Sequence, residues 1–113
     1  MGYEVNGRTL EATETGFLVS ADEWDKDVAA AIAAAEGIEL TQDHWDVIDY
    51  LREAYFDHNG EQPNNRAILK AMQEKWPGRQ VDNKTLFDLF PGNPSKQAGK
   101  IAGLPESMRK GGY

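Results

Sequence analysis

The chain of 113 residues contains no cysteine. Without a thiol there can be no disulfide framework, no cysteine nucleophile and no Cys-ligated zinc or iron–sulfur site. Histidine is almost as scarce: only His44 and His58 occur, and they do not stand at ligand spacing from one another. No metal site and no cofactor are therefore expected. The N-terminus has neither a basic nor an apolar leader region, and no run approaches the roughly 20 apolar residues that span a bilayer. A soluble cytoplasmic protein, with no membrane association, is the expectation. A Ser-His-Asp arrangement and a phosphate-binding glycine pattern are also missing, so nothing points to an enzyme.

What is present fits one globular domain. With 40% hydrophobic and 27% charged residues, the chain can build a single core without staples. Its net charge of −7 hides an asymmetry: residues 1–62 carry 15 acids and 3 bases, whereas residues 63–113 carry 4 acids and 9 bases. The basic half can face an acidic partner or nucleic acid unless folding brings the two halves together and cancels the field.

The local pattern is mainly α, of the α+β class. Asn6-Gly7 between two short alternating segments is a hairpin signal, because both central positions of a type I′ turn need a positive φ. Gly16-Phe-Leu-Val19 can add a short third strand. Ser20 and Glu23 form a capping box that predicts a first helix from Ala21, with Trp24, Val28, Ala31 and Ile32 at helical spacing and Gly37 as its stop. Thr41 is the next N-cap candidate, opening a helix whose broad apolar face includes Trp45, Ile48, Leu51 and Tyr55, read as the central helix.

Pro63-Asn-Asn65 opens a third helix that must end near Trp76, before Pro77-Gly78. Asp82 caps a short fourth helix, and Asn93-Pro94 starts a fifth ending near Gly103. The expected architecture is an N-terminal β-hairpin followed by a compact bundle of about five short helices. Residues 1–105 form one domain, and 106–113 a flexible C-terminal arm.

Individual residues with chemical potential have plainer readings. His44 reads as a surface histidine in the first turn of a helix, His58 as a cation favoured by a helix C-terminus. Asp22, Glu23, Asp25 and Asp27 complement a helix dipole without any catalytic role. The three tryptophans read as core or edge-of-core fillers. Lys96, Lys100, Arg109 and Lys110, opposed locally by Glu106 alone, form a charge concentration that core packing does not explain.

Several blocks, in order, carry a family resemblance: Asn6-Gly-Arg8, Gly16-Phe-Leu18, Leu40-Thr-Gln-Asp-His-Trp45, Leu51-Arg-Glu53, Asn83-Lys-Thr-Leu-Phe-Asp-Leu-Phe-Pro91, Pro94-Ser-Lys-Gln-Ala98 and Ala102-Gly-Leu-Pro105. Together they resemble the TusE/DsrC/DsvC sulfur-relay family over nearly the whole chain. The resemblance implies a compact helical domain with an N-terminal hairpin and a C-terminal arm. In the family that arm inserts a penultimate cysteine, which accepts sulfur, into a sulfurtransferase complex or a sulfite reductase.

Here the penultimate position is Gly112. The second arm cysteine of the sulfite-reductase branch corresponds to Gly99, and the tail after Pro105 is about two residues longer than usual. A persulfide needs a thiolate, and methionine cannot replace it because a thioether has no proton to lose.

The expected function is that of a non-catalytic binding or regulatory protein of a sulfur-relay or sulfite-reductase system. Arg66, Lys96, Lys100, Arg109, Lys110 and Tyr113 are the candidate partner-binding residues. The alternative is a DNA-binding regulator, with helices at 65–76 and 83–90 as a helix-turn-helix-like pair and Arg66, Lys70, Lys75, Arg79 and Lys84 as its charge. The acidic chain as a whole argues against that alternative, since phosphate neutralisation supplies most affinity for DNA.

Overall fold

The computed structural model describes residues 2–57, 60 and 62–104. The hairpin comes first: β1 (Gly2–Val5) pairs antiparallel with β2 (Arg8–Glu11), Gly2 opposite Glu11 and Val5 opposite Arg8. Its turn residues Asn6 and Gly7 have φ of 53° and 81°, the left-handed pair that a type I′ turn requires. The third strand reduces to a single bridge between Ala12 and Leu18. Between them the chain doubles back at Gly16, with φ of 93°, and Thr13 N–H donates to the Phe17 carbonyl at 2.7 Å. That tight turn leaves no length for a strand.

Among the described residues five α-helices follow: α1 (Lys26–Ala35), α2 (Gln42–Asp57), α3 (Asn65–Lys75), α4 (Asn83–Leu89) and α5 (Pro94–Ile101). The first starts later than the sequence predicts. Residues Ala21–Glu23 form only a 3-10 turn, and Asp25, in extended conformation, is the N-cap of α1, its carboxylate accepting Val28 N–H at 2.9 Å. Asp is as good an N-cap as Ser, and Asp25 is further held by Arg8 at 3.0 Å. Trp24 therefore lies outside the helix.

The stops are as the glycines indicate. Gly37 and Gly103 both adopt φ of 75°. At each, the amide beyond the glycine returns to a carbonyl in the last turn: Ile38 to Ala33 at 2.8 Å and Leu104 to Gly99 at 3.0 Å. These are Schellman endings. Asn64 caps α3 through Ala67 N–H, and Asp82 caps α4 in a reciprocal box with Thr85.

The hub of the bundle is α5, not α2: α5 packs against α1, α2, α3 and α4. Ala98, Ile101 and Ala102 are fully buried and meet Val28 and Ile32 of α1, Val47, Ile48 and Leu51 of α2, Ile68 and Met72 of α3, and Leu86 and Phe90 in one core. Small residues on α5 let four helices approach it. Among the described residues, no helix is long and apolar enough to cross a membrane.

Candidate functional site

The C-terminal end of α5 is the point from which residues 105–113 depart, and it is tightly held. Trp24 Nε1 donates to the Ile101 carbonyl at 2.8 Å, and Arg52 donates to the Ala102 carbonyl at 2.6 Å. These are carbonyls that a helix end leaves without intrahelical partners. The Arg52 guanidinium lies 3.8 Å from the centre of the Trp24 ring and 4.7 Å from that of Phe56, a cation–π stack that burial strengthens. Burial pulls the Arg52 pKa down while Asp49 opposes it. Gly103 is essential to this packing: a Cβ there would overlap the Trp24 side chain. Leu104, only 2% exposed, seals the end.

A second set of contacts fixes Gln97 and Lys100 of α5. Lys100 Nζ meets Glu36 at 3.1 Å with both side chains largely buried, and lies 5.5 Å from the centre of the Phe17 ring. Gln97 donates to the same carboxylate at 3.1 Å and accepts from Gly92 N–H at 2.8 Å. Nearby, Tyr3 donates to the Gly16 carbonyl at 2.6 Å; burial, with Glu36 adding to it, pushes the phenol pKa up.

The candidate binding residues separate accordingly. Lys100 is an internal ion-pair partner. Lys96 is exposed and lines a small cleft with Thr15, Phe17 and Gly92. Arg66 is exposed at the start of α3, in a different cleft. Arg109, Lys110, Gly112 and Tyr113, like His58 and the arm at 106–113, lie outside the described residues. Gly99 is on α5 in a buried position, yet a Cβ built there meets no neighbour within 4 Å. A larger side chain has space to start.

His44 departs from the sequence reading. It is 6% exposed; Thr41 N–H donates to Nδ1 at 3.0 Å, and Nε2 lies 2.9 Å from the Leu89 carbonyl. Because Nδ1 accepts, Nε2 carries the proton and donates, joining the start of α2 to the end of α4. The ring also stands edge-on to Phe90 with centroids 5.1 Å apart. A helix N-terminus favours exposure only where nothing packs over it, and here α4 does.

Sequence reasoning left Trp24 and Arg52 without a role at the end of α5. The one available signal was that Arg52 belongs to the Leu51-Arg-Glu53 block. Of the helix-turn-helix cations, Arg79 pairs with Asp43 at 2.9 Å and Lys84 with Asp88 at 3.1 Å. Among the described residues, no group of three or more His, Asp or Glu side chains is placed to hold a metal ion.

A β-hairpin followed by five helices packed around α5, with the last carbonyls of α5 held by Trp24 and Arg52, is the scaffold of the described residues. The chain belongs to the family described as DsrC like protein, which matches residues 4–109. It is 42% identical over 105 residues to a Sulfurtransferase TusE homolog of Haemophilus influenzae, covering 93% of this chain and 95% of that one. Sulfurtransferase TusE of Salmonella typhimurium is 40% identical over 103 residues, covering 91% and 94%.

Among solved structures, DsrC of Allochromatium vinosum superposes with a TM-score of 0.85 at 36% identity, covering 96% of each chain. The oxidized gamma-subunit of the dissimilatory sulfite reductase (DsrC) of Archaeoglobus fulgidus gives 0.86 at 33% identity, covering 96% of this chain and 98% of that one. Within this family scaffold the chain has no cysteine, and so cannot carry a persulfide on a thiol.

Proposed function

We propose that the protein is a non-catalytic binding or regulatory partner in a cytoplasmic sulfur-relay or sulfite-reductase system. In this role it occupies a partner's arm groove without delivering sulfur. The observation that carries this reading is the conjunction of an arm base held by Trp24 and Arg52 with the complete absence of cysteine. Family membership over residues 4–109 supplies the scaffold of a partner in such a system, and the missing thiol removes the sulfur chemistry from it. Arg109 and Lys110 supply the charge that steers the arm to an acidic groove, and Tyr113 supplies a ring to fill the space a thiol does not.

The test is a titration of the full chain, and of a variant lacking residues 106–113, against a sulfurtransferase complex and a dissimilatory sulfite reductase. Saturable binding to one of them, weakened roughly tenfold or more by the truncation, is the expected result. Equal affinity of the two forms removes the arm from the account, and no binding to either partner removes the proposal. After exposure to a persulfide donor, the purified protein is expected to show no stable sulfur adduct by mass spectrometry.

A further inference from the structure

We propose that the cleft between the start of α3 and α4 is a docking site for an acidic segment of a partner protein bearing an apolar side chain. Its described lining comes from α3, α4 and the residue before α3. The cleft has a volume of about 520 Å³ and is lined by Asn64, Asn65, Arg66, Leu69, Asn83 and Phe87. Asn83 and Phe87 stand one turn apart on α4, and Arg66 and Leu69 one turn apart on α3, so two helical stripes face each other. Phe87 is 44% exposed although it is a large hydrophobic residue, and Leu69 is half-buried against the core. One part of the cleft is thus apolar and open.

The polar part offers donors. Asn64 Oδ1 already accepts Ala67 N–H at 2.9 Å, and Asn65 Oδ1 accepts Ser95 N–H at 2.7 Å. These bonds fix the amide orientations and leave the two NH2 groups as donors, beside the donor-only guanidinium of Arg66. Arg66 has no ion pair among the described residues, and neither does Lys70 in the next turn. Among the described residues no carboxylate lines the cleft. The nearest acids of α4 are already engaged: Asp82 with the Thr85 amide and hydroxyl, Asp88 with Lys84.

A donor-rich edge carrying uncompensated positive charge beside an exposed ring selects an acceptor-rich, negatively charged chain with one apolar anchor. A nucleic acid is the poorer fit, because among the described residues the cleft is lined by a single cation, on a chain of net charge −7, too little to neutralise a run of phosphates.

The test uses the ¹⁵N-labelled full chain and three probes: a synthetic peptide with a central leucine flanked by glutamates, the same peptide with glutamine for glutamate, and a short single-stranded oligonucleotide. The acidic peptide is expected to shift the amides of Arg66, Leu69, Asn83 and Phe87 saturably. Its affinity should fall roughly tenfold in Arg66→Glu and several-fold in Phe87→Ser, both keeping the parent's spectral dispersion. The variant lacking 106–113 should bind the peptide as the full chain does, so failure of the arm proposal leaves this one standing. Absence of saturable shifts at those amides, equal binding of the glutamine peptide, or tighter binding of the oligonucleotide overturns it.

Discussion

Lys100 and Arg66 both belong to the basic second half of the chain, yet the fold gives them opposite situations. Lys100 is withdrawn into α5's contact with α1 and paired with Glu36, its side chain 16% exposed. Arg66 stands at an open cleft with no counter-charge among the described residues. The same contrast runs through the two regions as wholes. At the arm base the charged and polar groups are matched within the molecule; at the α3–α4 cleft, donors and an aromatic ring are left over. Matched groups hold structure, and leftover groups are available to a partner, so net charge read along the chain says little about which lysine or arginine binds.

The comparison breaks most visibly at Gly103. Replacing it with alanine puts a Cβ into Trp24 and forces a left-handed backbone on a side chain. A loss of about 3 kcal/mol in urea unfolding is expected. A change below about 1 kcal/mol would show that the arm base can rearrange freely. Next in size is Arg52→Ala, which removes the cation–π stack and leaves the buried Ala102 carbonyl unpaired, at a cost of about 2 kcal/mol. Arg66→Ala, by contrast, should stay within about 0.5 kcal/mol of the parent. Similar values for the two arginines would erase the distinction between the regions.

A smaller effect sharpens the matched side through pH. Burial pushes the Asp46 carboxyl up, but hydrogen bonds from Trp76, at 2.7 Å, and from Gln42, with the charges of Lys75 and Arg79, bring it below its ordinary value of 3.8. A lowered folded value stabilises the protein above the unfolded pKa, and that contribution disappears as pH falls through the folded one. Asp46→Asn should therefore cost about 1 kcal/mol at neutral pH and show a shallower acid limb in stability measured from pH 6 downward. Parallel acid limbs would remove Asp46 from the account.

A small effect is also expected at Gly99. With no neighbour within 4 Å of a built Cβ, Gly99→Cys should fold normally and change stability by less than about 1 kcal/mol, toward stabilisation, since glycine is a poor helix residue. Marked destabilisation would mean that glycine is there for packing.

Much of the fold was legible because its signals are local. Asn6-Gly7, Asn64, Asp82, Gly37 and Gly103 act through their own backbone or side chain within a few residues, and each does in the structure what its residue type favours. The first helix start was misread because two N-cap signals, Ser20 and Asp25, compete over five residues. The winner was settled by Arg8 and by Trp24's commitment to Ile101, both far away in sequence.

His44 was misread for the same reason, since its burial depends on α4 lying across it. The candidate site was legible only in part. Gly99 and Arg66 could be singled out, but the pairing of Lys100 with Glu36 and the roles of Trp24 and Arg52 span 64, 77 and 50 positions of chain. No spacing rule reaches that far.

By itself the sequence determined the elements, their caps and stops, and the impossibility of thiol chemistry, because composition and local stereochemistry are properties of the chain before it folds. Only the tertiary structure decided that α5 is the hub, that its end is held by Trp24 and Arg52, and which cations remain free. Burial, desolvation and charge pairing are set by what packs opposite a residue, and that is known only once the helices have met.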